Sequence, residues 1–70
     1  MTKEQIIDEL FQALEVKRHA YKQRLLTLDA WLYESKVIFD EAESHGVTDD
    51  LYLRVHAAKA VESVRERWTR

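Results

Sequence analysis

From Lys3 to His45 the chain carries neither glycine nor proline, and Gly46 is the one glycine among its 70 residues. Nothing in that run forces a turn, whereas Gly46 can take the left-handed backbone that ends a helix without a Cβ clash. The spacing predicts one long helix over about 3–45, a turn at 46–48 and a shorter helix over about 49–68. That is an all-α fold, an antiparallel helix-turn-helix hairpin forming a single domain over 1–70.

Local signals agree with helices at both ends. Thr2 and Gln5 read as a capping box, the hydroxyl accepting from the third helical N–H while Gln5 reaches back. Glu4, Asp8 and Glu9 put negative charge near the positive end of the helix dipole. Ile7, Leu10, Leu14, Tyr21, Leu28, Trp31, Ile38 and Ala42 then follow at helical spacing, with Phe11, Leu25, Leu32 and Phe39 widening the seam. Lys17 and Arg24 fall on the seam itself, where a polar group costs stability but sets register. A face this broad suits a helical bundle better than a two-stranded coiled coil.

In the second helix Thr48 is expected to cap, with Asp49 and Asp50 in the first turn and Arg65 and Arg67 in the last. Val47 is placed to cover the end of the first helix. Leu51, Val55, Ala58, Val61, Val64 and Trp68 point inward by period. Ala57, Ala58 and Ala60 keep the middle slim enough to approach Trp31, Leu32 and Phe39.

Helix length sets up a conflict. At 1.5 Å per residue the first helix would measure roughly 64 Å and the second roughly 30 Å. The second can cover only residues near 25–44, which strands the patch of Ile6, Ile7, Leu10, Phe11 and Leu14. An apolar patch of that kind marks an interaction surface. A break near Thr27-Leu28-Asp29, with Thr27 capping a new helix, would instead let the N-terminal third fold back. With no glycine or proline there, the uninterrupted helix is the reading adopted. A two-fold homodimer then covers the patch through Ile7, Leu10, Phe11, Leu14 and Tyr21.

Composition supports a partner. A core this small supplies few kcal/mol and is usually helped by disulfides, a metal or a second subunit. The chain has no cysteine, so disulfides are excluded. Its charge of −2, with 34% charged and 46% hydrophobic residues, fits amphipathic helices. No apolar stretch approaches the roughly 20 residues of a membrane span, and the N-terminus lacks a signal-peptide core, so a cytoplasmic protein is expected.

Chemistry-bearing motifs are sparse. The basic segment Lys17-Arg18-His19-Ala20-Tyr21-Lys22-Gln23-Arg24 could neutralise phosphates and stack a base on Tyr21. It can equally be a solvated face, or pair with Asp40, Glu41, Glu43, Asp49 and Asp50 of a neighbouring chain. Ala42, Gly46 and Val47 match the turn spacing of a DNA-binding helix-turn-helix, but Asp49 and Asp50 would face phosphate at the reading end. Glu41 and His45 also replace apolar residues that should pack inside that motif. Val16, Ala42 and Leu53 stand three residues before the three histidines, so no Glu-x-x-His metal motif exists. No phosphate loop or nucleophile elbow is present, and Ser35, Ser44 and Ser63 lack an arranged base. No enzyme activity, cofactor or metal is expected.

The outline of a Thr2-to-His45 helix, a Gly46-Val47-Thr48 turn and an Asp49-to-Trp68 helix resembles small helical-hairpin regulators of phages, plasmids and bacteria. Those act by docking on a host protein, so the resemblance implies a dimeric inhibitor or modulator of a host regulator or motor protein. Sporulation phosphatases sharing the hairpin outline carry a Ser-x-x-Leu-Asp signature. The corresponding stretch here, His56-Ala57-Ala58-Lys59-Ala60, departs from it, and their activity is not carried over. The expected function is a non-enzymatic, homodimeric protein-binding regulator using Arg18, Lys22 and Tyr33 as partner contacts. The alternatives are a nucleic-acid-binding dimer using 17–24 and a structural assembly module.

Overall fold

A computed structural model describes the backbone of residues 2–68 and the side-chain surroundings of residues 2–61. These residues form three helices, α1 (Lys3–Lys22), α2 (Leu28–Ser44) and α3 (Thr48–Trp68). The expected two-helix hairpin is therefore corrected: the long first helix is interrupted at residues 23–27, and its N-terminal part folds back. The longest dimension is 40 Å, well short of what an unbroken helix over 3–45 would need.

The interruption is built from two caps. Gln23 closes α1, and Arg24 then takes a left-handed backbone at φ 62°. The Leu25 N–H donates to the Ala20 carbonyl at 2.8 Å and the Arg24 N–H to Tyr21 at 3.0 Å. This is the paired-bond Schellman ending, which satisfies carbonyls that a helix end otherwise leaves open. Thr27 starts α2, its hydroxyl accepting from the Ala30 N–H at 3.2 Å.

The second turn repeats the first with glycine in the left-handed place. Gly46 has φ 69°, its N–H donates to Glu43 at 3.0 Å, and the Val47 N–H donates to Ala42 at 2.9 Å. Val47 and Ala42 are both buried, which is the apolar contact that accompanies this motif. The Val47 carbonyl accepts from the Leu51 N–H, so Val47 takes the capping position and Thr48 is the first residue of α3. Thr48 is thus displaced by one residue from its expected capping role. At the other end of the chain the Thr2–Gln5 capping box is present in both directions.

Folding back brings both apolar stretches into one core. Ile7, Leu10 and Leu14 of α1 pack with Ile38 and Ala42 of α2, with Val47, and with Leu51 of α3. Each buried large aliphatic side chain contributes about 1.5–3 kcal/mol over exposure, a gain that an unbroken helix would forgo within one chain. Lys17 meets Glu34 of α2 at 3.9 Å. Lys3 meets Asp50 at 3.1 Å, and Arg54 reaches Asp8 and, at 3.5 Å, Glu4. These pairs tie the first two turns of α1 to the first two turns of α3.

Several expected core positions lie outside. Leu25, Leu28 and Leu32 are exposed, because the break moves them off the seam that a continuous helix would share. Val61 is exposed as well, while Val55 and Ala58 are half-buried. Val64, Arg65, Arg67 and Trp68 lie outside the described side chains. No helix among the described residues is long and apolar enough to cross a membrane.

Candidate functional site

Beyond the ion pairs that tie α3 to the start of α1, the three helices leave an open groove of about 590 Å³. That size lies in the range of ligand-binding clefts, roughly 300–1,000 Å³. Each helix contributes residues at helical spacing. From α1 come Leu14, Glu15, Arg18, Tyr21 and Lys22; from α2, Trp31, Ser35 and Phe39; from α3, Tyr52, Val55, His56 and Lys59.

Leu14 is buried, and Tyr21, Trp31, Phe39 and Val55 are half-buried, so they make an apolar floor. Its rings are held in order. Tyr21 stacks on Trp31 with centroids 6.1 Å apart and 19° between planes. Phe39 stacks on Tyr52 at 4.6 Å, and Tyr52 in turn on His56 at 6.3 Å. The second stack crosses from α2 to α3, which fixes the wall between them. On α2 the exposed Leu28 and Leu32 lie on the same helical stripe as Ser35 and Phe39.

The rim carries charged side chains. Arg18, Lys22 and Lys59 line the groove together with Glu15, which holds Arg18 at 2.9 Å. No polar or charged side chain is buried among the described residues. Ser35 donates its hydroxyl to the Leu32 carbonyl at 3.0 Å and Ser44 to Glu41 at 2.7 Å. Neither is presented to a base. Glu41 and His45 are both exposed at the end of α2. No cluster of three or more His, Cys, Asp or Glu suited to a metal occurs among the described residues. The chemistry available in the groove is burial of apolar surface beside positive charge.

The residues singled out by sequence separate into three groups. Arg18 and Lys22, expected partner contacts, both line the groove, but Tyr33 does not and is exposed elsewhere. Of the expected dimer residues, Ile7, Leu10 and Leu14 are buried inside the chain's own core, which removes the bare patch that had called for a second chain. Phe11 packs half-buried against that core, and Tyr21 belongs to the groove. Sequence reasoning did not group Trp31, Phe39, Tyr52, His56 and Lys59 with the basic segment. The spacing of Tyr52, Val55, His56 and Lys59 carried part of that signal, but only the fold-back at Arg24 sets α1 beside them.

No protein-family model, curated protein or solved structure matches this chain. The likeness to helical-hairpin regulators rested on a two-helix outline, which the three helices replace.

Proposed function

We propose that this chain is a non-enzymatic protein-binding module that modulates the protein it captures, with the three-helix groove as its binding surface. The observation that carries the reading is the aromatic and aliphatic floor left open to solvent beneath a rim of Arg18, Lys22 and Lys59. Tyrosine, tryptophan and arginine side chains that are partly buried and held in place are the usual energetic anchors of protein interfaces. Burying Ile7, Leu10 and Leu14 needs no second copy, so the module acts with one groove per chain.

The test is quantitative affinity capture with the intact chain and a Tyr52→Ser/Lys59→Glu variant whose helical content matches by circular dichroism. The reading expects a discrete protein retained by the native chain and lost by the variant. A set of captured proteins that the variant leaves unchanged would contradict it.

A further inference from the structure

The break at 23–27 also has the properties of a hinge, and we infer that through it the chain exchanges α1 with a second copy of itself. In the exchanged dimer α1 and α2 of each copy run on as one helix, and α1 packs on α2 and α3 of the other copy. Each groove is then built by two chains. Its α1 residues, Leu14 and Tyr21 among them, come from one copy, and its α2 and α3 residues come from the other. The closed chain is the form present at micromolar concentration, and the exchanged dimer gains with concentration by mass action.

Every residue of the hinge is compatible with a helix. Gln23-Arg24-Leu25-Leu26-Thr27 holds no glycine or proline, and Gln, Arg and Leu are good helix formers. The closed form instead keeps Arg24, an L-residue, at φ 62°, a strain that straightening relieves. Short hinges under strain are the ones that invite exchange. The apolar period also passes through the hinge without a skip, Leu14, Tyr21 and Leu28 following at intervals of seven residues. A straightened helix therefore keeps the α1 and α2 seams on one face. A turn alone does not require that phase.

The closed chain already has the register of the exchanged pair. Lys17 meets Glu34 and Tyr21 stacks on Trp31, both pairs centred on the hinge. Two straightened helices, antiparallel about a two-fold axis beside the hinge, reproduce these pairs between chains. What exchange adds lies at the crossing. Leu25 is 73% exposed and Leu28 is 54% exposed in the closed chain. Across the axis Leu25 of one copy faces Leu28 of the other, which covers both.

The experiment is refolding of the full chain from denaturant at micromolar and at millimolar concentration, followed by size exclusion with light scattering. Spin labels at Glu9→Cys and Glu41→Cys, in chains diluted with unlabelled protein, report the distance within one copy. Concentrated refolding is expected to give a dimer whose labels lie roughly 48 Å apart, and dilute refolding a monomer at the short distance. Arg24→Gly relieves the closed hinge and weakens the straight helix, so it should lower the dimerisation constant about tenfold or more. Leu28→Ser should lower it too while leaving the stability of the monomer unchanged, since that side chain is exposed there. Monomer alone after millimolar refolding, a dimer whose labels keep the short distance, or a dimer indifferent to Arg24→Gly would each overturn the exchange.

Discussion

Arg24 sits at the one described non-glycine position with a left-handed backbone, and the fold turns on it. An L-residue there gives up roughly 1–2 kcal/mol to the contact between its Cβ and the carbonyl. Glycine removes that strain but loses more freedom on folding, so Arg24→Gly is expected to stabilise the chain by up to about 1 kcal/mol in urea denaturation. At the matching position in the second turn, Gly46→Ala should cost about 1 kcal/mol. No atom crowds the added methyl there, so that loss would come from the backbone alone. Thr27→Ala removes the cap that starts α2 and should also cost about 1 kcal/mol. An Arg24→Gly variant less stable than the native chain would contradict the assigned turn.

At the scale of the helices, the decisive difference lies between the buried and exposed faces of the old apolar seam. Leu14 is 4% exposed and Leu32 is 56% exposed. Leu14→Ala should cost about 2–5 kcal/mol, enough to unfold much of a domain this small at room temperature. Leu32→Ser should change stability by about 0.5 kcal/mol or less. The uninterrupted helix would cover Leu32 with the second helix and leave Leu14 to a partner chain, so the ratio of the two costs in parallel denaturation curves separates the two arrangements. Helical identity, the Thr2 cap and the Gly46-Val47 ending were all readable from local chemistry. The break at 23–27 was not, because Gln23-Arg24-Leu25 contains no residue that requires a turn. What stops α1 is the burial gained when Ile7, Leu10 and Leu14 meet Ile38 and Ala42, and that gain belongs to contacts distant in sequence. Thr27, readable as the cap of a new helix, and Arg24 on the apolar seam were the local hints. Half of the candidate site was equally visible: Arg18 and Lys22 stood out by charge, but their meeting with Lys59 and the ring stacks depends on the fold-back.

For the whole molecule, the central claim is that one chain closes on itself as a three-helix bundle, since that closure both buries the core and forms the groove. The direct measurement is the distance between spin labels at Glu9→Cys and Glu41→Cys, both exposed positions in a chain without native cysteine. Samples diluted with unlabelled protein isolate the distance within one chain. Neighbouring packed helices lie 8–10 Å apart, and with the label arms added the bundle predicts a distance below about 25 Å. An unbroken helix would separate the two sites by roughly 48 Å. A single narrow distribution at the short value is the expected result, and a population near the long value that persists on dilution would contradict the fold and the groove built on it.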